Sequence, residues 1–185
     1  LNYKIPVASA QVKSCLILSA LNLPGKSIIK QKVRTRDHLE LMIDSISRDI
    51  ITYNNKKIMI HGREGNFLDG FDINIPGDIS SSSYLIGLAV LLNESELIIN
   101  DILLNPLRTG FIDTLISMGA NIKIDNIKTV RNEKVGRVTV SASKKLYPCH
   151  ISKDKISSMI DEIPILSLIC SYIEGRSVIH GLEEL

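Results

Sequence analysis

An α/β (α+β) fold assembled from a repeated unit, with helices enclosed by sheets, is what the 185-residue sequence predicts. Three observations carry that prediction. Segments with period-2 apolar alternation take turns with segments of 3.6-residue period along the chain. A polar helix start recurs at Ser9, Ser80 and Asp161, each after a strand-like end and before a thick apolar helix. Lastly, the first and third of these helices are apolar on nearly all sides, with Val12, Cys15, Ile17 and Leu18 in one and Ile163, Leu166, Leu168 and Ile169 in the other. Such helices belong inside a layered structure rather than on its surface. A repeat of roughly 70–80 residues is too long for a solenoid and fits duplicated α/β units.

In chain order, residues 3–7 read as a strand and 9–23 as a helix closed by Pro24-Gly25, with the strand SIIKQK over 27–32. Residues 36–47 are an amphipathic helix, because Leu39, Met42, Ile43 and Ile46 fall at i, i+3, i+4 and i+7. DIITYNN and KIMIHG make a hairpin across the polar turn Asn54-Asn55-Lys56. GREGNFLDG (62–70) is rich in turn residues and is expected to be mobile. The order then restarts: FDINIP (71–76) as a strand, a helix over 80–92, ELIIND (96–101) as a strand, and a helix over 111–118 ended by Gly119. NIKIDNI and GRVTVSAS form a second strand pair, Asp161 opens a third helix (161–174), and SVIHGL follows as a strand.

Composition excludes several functions. The 22 basic and 20 acidic side chains are intermixed for a net charge of +2, and stacking aromatics are scarce, so nucleic acid is not an expected partner. No apolar stretch reaches the length of about 18 residues that a membrane span needs, and no membrane association is expected. Cys15, Cys149 and Cys170 are odd in number and far apart. Cys15 and Cys170 read as small core residues, and the usage fits a reducing, cytoplasmic compartment. The chain starts at Leu and stops at GLEEL in mid-pattern, which is expected of a piece of a longer protein.

The helix starts offer anion chemistry, since each carries unpaired N–H groups and partial positive charge. Ser9 and Ala10 let a ligand approach the backbone closely, and the Gln11 amide adds donors and an acceptor. GDISSSS (77–83) is equally polar. In MIDEIPIL the adjacent carboxylates Asp161 and Glu162 precede an apolar helix, where Asp161 can accept hydrogen bonds from hydroxyls or take a proton from one. Ordinary capping explains Ser9 and Asp161 equally well, and Asp37, His38 and Glu40 read as first-turn residues of a surface helix. His38, His61, His150 and His180 lack metal-ligand spacing, so no metal is expected. No Walker loop or GxGxxG is present, which speaks against nucleotide-dependent chemistry.

Taken together, SAQVKS (9–14), TRDH (35–38), PGDISSSSY (76–84), NPLRTG (105–110), SMGA (117–120), DEIPIL (161–166) and GLEEL (181–185) resemble the 5-enolpyruvylshikimate-3-phosphate synthase family in order and spacing. SAQVKS and TRDH have the form common in Gram-positive and other glyphosate-tolerant bacteria. The resemblance implies two inside-out α/β barrel domains built from βαβαββ units, with helices buried inside sheets. By that analogy residues 1–75 are the C-terminal part of the N-terminal domain, 76–185 the N-terminal part of the C-terminal domain, with the hinge near 74–78. It implies transfer of the enolpyruvyl group of phosphoenolpyruvate to the 5-hydroxyl of shikimate 3-phosphate, in the shikimate pathway of aromatic amino-acid biosynthesis, by a monomer without metal or organic cofactor.

By position, the resemblance gives Ser9 and Ala10 the shikimate phosphate, with Ala10 in place of a serine found in many relatives. It lays Gln11 against the shikimate ring, brings Arg36 to the 3-phosphate, and makes Asp161 the carboxylate that holds the shikimate hydroxyls and accepts the 5-hydroxyl proton. The role of Glu184 stays open. The family's second proton-transfer group and its phosphoenolpyruvate-binding residues have no counterpart in this stretch, so the segment by itself is expected to be inactive. Two other readings remain: a non-enzymatic phosphate-binding or scaffold module on the same fold, and the sister transferase acting on UDP-N-acetylglucosamine.

Overall fold

The computed structural model describes residues 1–62, 68 and 70–183. It divides into two compact units, Leu1–Asn74 with Arg131–Glu133, and Ile75–Val130 with Lys134–Leu185. Most of GREGNFLDG and the last two residues, Glu184 among them, lie outside the described residues, and so do the expectations placed on them.

The first unit runs β1 (Asn2–Lys4), α1 (Ala10–Leu21), β2 (Gly25–Lys30), α2 (His38–Ile46), β3 (Ile51–Tyr53) and β4 (Lys57–Gly62). Its sheet has the order β1-β2-β4-β3, with β1 parallel to β2 and the other pairs antiparallel. Parallel pairing of β1 and β2 requires a crossover, and α1 is that crossover. The β3–β4 hairpin forms where the alternation places it. Its turn is held by the Asn54 side-chain oxygen, which accepts from the N–H groups of Lys56 and Lys57, both at 2.9 Å. Ile58 and Ile60 point from β4 into a cluster with Ile17, Ala20, Ile29 and Ile43.

α1 packs by one stripe only. Lys13, Ile17 and Ala20, at i, i+4 and i+7, are its buried residues. Val12, Cys15 and Leu18 are exposed, Leu18 by 50%. The expected enclosure of this helix, and the core placement of Cys15, are therefore not found among the described residues. An all-round apolar helix shows that a helix can be covered on every side, while the covering itself depends on which segments fold over it.

The second unit contains α3 (Ile79–Leu91), β5 (Glu96–Leu103), α4 (Gly110–Ser117), β6 (Asn121–Val130) and, apart from its first residue Glu133, which belongs with the first unit, β7 (Glu133–Ser141), with a sheet ordered β5-β7-β6. The turn Arg131-Asn132 has φ of 49° and 64°, the doubly positive geometry of a two-residue hairpin. There follow β8 (His150–Ile151), two 3-10 turns at Lys153–Ser158 and Ile160–Glu162, α5 (Ile163–Ser171), and β9 (Val178–Ile179), which pairs parallel to β8. The core gathers Ile86, Ile102, Phe111, Leu115, Val138 and Leu166. α3 and α5 meet closely at Gly87, where a Cβ would lie 2.9 Å from Ile165 Cγ1.

FDINIP forms no strand. Pro76 has no N–H for a ladder, and Ile75 is exposed. The pairing shifts to Gly77, whose N–H donates to Asp101 O at 2.8 Å and whose carbonyl accepts from Leu103 N at 3.0 Å, a parallel bridge. Three parallel crossovers thus recur, through α1, α3 and α5, and the first two continue into a second helix and a hairpin.

Candidate functional site

The start of α1 is built as its sequence suggests. Ser9 is the N-cap, in extended backbone, and its hydroxyl oxygen accepts from Val12 N–H at 3.3 Å. The same hydroxyl donates to Gln11 Oε1 at 3.1 Å. Both bonds are exposed, so water or a ligand can compete for either. Ala10 and Gln11 open the helix and line a groove of about 630 Å³ together with Ser14, Leu18, Arg36 and His38. The structure thus brings Ala10, Gln11 and Arg36 to one groove of the first unit, with Ser9 tied to Gln11 at its edge.

Arg36 lies in the stretch between β2 and α2, where residues 31–37 have no regular secondary structure. This stretch is nevertheless anchored. Arg34 pairs with Asp37 at 2.6 Å, and Gln31 N–H donates to Lys56 O at 3.0 Å. Lys13 reaches it from α1, donating to Thr35 O at 3.1 Å and Arg36 O at 2.7 Å. Its third contact is an ion pair with Glu40 at 2.7 Å, the two side chains being 0% and 2% exposed. Burial pushes the Glu40 carboxyl above the usual carboxylate range, and the Lys13 ammonium offsets part of that rise.

Asp37 at the N-cap and Glu40 in the first turn of α2 do stand where the sequence puts them, but both are buried and paired rather than on an exposed helix surface. His38 is partly exposed, with its Nδ1 against the carboxylate of Glu133. The Lys13–Glu40 pair was missed in the sequence. The available signal was that Lys13 shares the i, i+4, i+7 stripe of Ile17 and Ala20, where a lysine needs a partner.

The second unit holds Asp161, which is exposed. It does not open the third helix: it sits in the 3-10 turn Ile160–Glu162, and α5 begins at Ile163 with Glu162 in the cap position. Pro164 accounts for the late start, because its ring suits the first helical turn and clashes deeper in a helix. The three helix starts also differ in their caps. Asp78, not Ser80, caps α3, with its carboxylate accepting from Ser81 N–H at 2.9 Å and Ser81 Oγ at 2.7 Å. Arg108 pairs with Asp78 at 3.1 Å and also donates to the Ser80 hydroxyl.

No described helix is long and apolar enough to cross a membrane. Cys149 and Cys170 face each other with sulfurs 3.7 Å apart, and burial followed by the neighbouring Cys170 pushes the Cys149 thiol up to about 11. Cys149 is the more buried of the two.

A family model described as EPSP synthase (3-phosphoshikimate 1-carboxyvinyltransferase) matches residues 1–185. The 3-phosphoshikimate 1-carboxyvinyltransferase of Caldicellulosiruptor saccharolyticus is 42% identical over 186 residues, covering 100% of this chain and 42% of that protein. That of Pseudomonas sp. (strain PG2982) is 39% identical, covering 100% of this chain and 41% of the relative. Among solved structures, the EPSP synthase from Acinetobacter baumannii superposes with a TM-score of 0.88 at 31% identity, over 100% of this chain and 41% of that one. The chain spans about two fifths of the length of the relatives it matches.

Proposed function

Because the chain belongs to the EPSP synthase family, we propose that it serves the transfer of the enolpyruvyl group of phosphoenolpyruvate to the 5-hydroxyl of shikimate 3-phosphate, with release of phosphate. The observation that carries this reading is the family match across residues 1–185, joined by relatives of the same name at about 40% identity. Cytoplasmic location and a monomeric state belong to the same proposal.

The first unit supplies the phosphate side. The start of α1 offers N–H groups and partial positive charge, Ser9 adds a hydroxyl, and Arg36 adds a guanidinium at the same groove. Ala10 has no side-chain donor, so its part falls to the backbone. Gln11 carries both a donor and an acceptor, which suits a hydroxylated ring beside the phosphate. Asp161 takes the proton as the 5-hydroxyl oxygen bonds to the enolpyruvyl carbon and a separate donor protonates the methylene carbon. Loss of a proton from the resulting methyl group then restores the double bond as the C–O bond to phosphate breaks and phosphate leaves. Residues 1–75 and 76–185 are read as parts of the N- and C-terminal domains, joined near 74–78.

The test is phosphate release by the full-length protein, which is expected only when both substrates are present. Asp161→Ala is expected to lower kcat by about 10²–10⁴-fold with folding intact. Undiminished turnover in a folded Asp161→Ala protein sinks the proton-acceptor role, and phosphate release from phosphoenolpyruvate alone sinks the transfer reading.

A further inference from the structure

The geometry assigns Lys13 and Glu40 to a buried clamp that positions Arg36 for its anionic ligand, which makes both of them positioning residues of the proposed reaction. The assignment rests on the reading of Arg36 as a phosphate contact. Lys13 Nζ has three hydrogens and three acceptors: Thr35 O at 3.1 Å, Arg36 O at 2.7 Å and Glu40 Oε1 at 2.7 Å. Two of these are main-chain carbonyls at and next to the arginine that lines the groove. The backbone N–H of Lys13 donates to Ser9 O at 3.1 Å, so this one residue closes the first turn of α1 behind the Ser9 cap and pins the Arg36 peptide. The helix start and the guanidinium are thereby held in one register, although 22 or more residues separate Lys13 from its partners in the irregular stretch.

Stability alone does not call for a charged pair here. Apolar residues of similar volume in place of a buried ion pair are often neutral or stabilising. What an apolar pair cannot supply is direction, since a methylene neither donates to the Thr35 and Arg36 carbonyls nor fixes where they point. A charged clamp is also unforgiving. The ammonium loses its solvation if the stretch drifts, so the stretch stays where the acceptors are. A misplacement of about 1 Å at such a positioned group can cost about 10²-fold.

The experiment uses the full-length protein and the double variant K13M/E40L, which removes both charges together and avoids the uncompensated buried charge of either single variant. Its thermal midpoint is compared with that of the parent, and KM for each substrate is measured with the other saturating. The clamp predicts a rise of about ten- to a hundredfold in KM for shikimate 3-phosphate, with KM for phosphoenolpyruvate unchanged. It also predicts that Arg36→Ala weakens shikimate 3-phosphate in the parent but adds little in K13M/E40L, because the two changes act through one group. An unchanged KM for shikimate 3-phosphate in folded K13M/E40L overturns the clamp, and so does full additivity with Arg36→Ala. Should K13M/E40L fail to fold, K13M/E40Q, which also removes both charges and the Lys13 donors but keeps a near-isosteric side chain at position 40, is read in the same way. Arg36→Ala in the parent separates the two proposals. If it leaves shikimate 3-phosphate binding intact, the phosphate reading falls and takes the clamp with it. If it weakens binding while K13M/E40L does not, only the clamp falls.

Discussion

Asp78 shows how single residues carry local structure. Partial burial pushes its carboxyl up, but the Ser81 hydroxyl and N–H, aided by Arg108, outweigh this and hold it below the ordinary value. A carboxylate with a lowered folded pKa contributes stability that is complete above its unfolded value, near 4, and is lost as pH falls through the folded value. Asp78→Ala is therefore expected to cost about 1 kcal/mol at neutral pH, the usual worth of an N-cap. The difference from the parent should shrink as pH falls from neutrality to below about 4, as urea midpoints at the two pH values would show. A difference that persists undiminished at low pH would mean that Asp78 acts through something other than its charge.

At the scale of elements, close backbone approaches set the packing. Gly62 ends β4 beneath the C-terminal end of α1, and a Cβ there would stand 1.9 Å from Leu23 O and 2.6 Å from Ala20 O. Both neighbours are main chain, so relief requires α1 to move off the sheet. Gly62→Ala is expected to destabilise the first unit by about 1–3 kcal/mol, read as a lower urea midpoint at unchanged slope. An unchanged midpoint would show that α1 rests on β4 less tightly than the structure has it. The α3–α5 contact at Gly87 follows the same logic, but its neighbour is the flexible end of Ile165, which can give way more cheaply.

For the molecule as a whole, each unit has its own hydrophobic cluster. In the second, Leu115 is fully buried among α4, the sheet and the segments leading into α5. Leu115→Ala is expected to cost about 2–5 kcal/mol, visible as a lower thermal midpoint for that unit, with near-UV signals lost before helix content. Apolar helix faces remain uncovered: Leu18 on α1, Tyr84, Leu85 and Leu88 on α3, Leu168 on α5. Relatives that share this chain at 39–42% identity are more than twice as long.

The amino-acid sequence by itself determined the alternating elements, the β3–β4 hairpin and the Ser9 cap, because each depends on side-chain periodicity or on hydrogen bonds that reach only a few residues. It also placed Ser9, Ala10 and Gln11 together at one helix start. Only the tertiary structure decided that Arg36 shares their groove, that Lys13 and Glu40 are buried as a pair, and that FDINIP yields its pairing to Gly77. It decided as well that α5 begins at Ile163, leaving Asp161 in the turn before it. The physical reason is the same in each case. A buried charge, a strand edge or an exposed apolar face is settled by a partner far away in the chain, and a lysine in an apolar stripe looks the same in sequence whether or not a glutamate waits 27 residues further on.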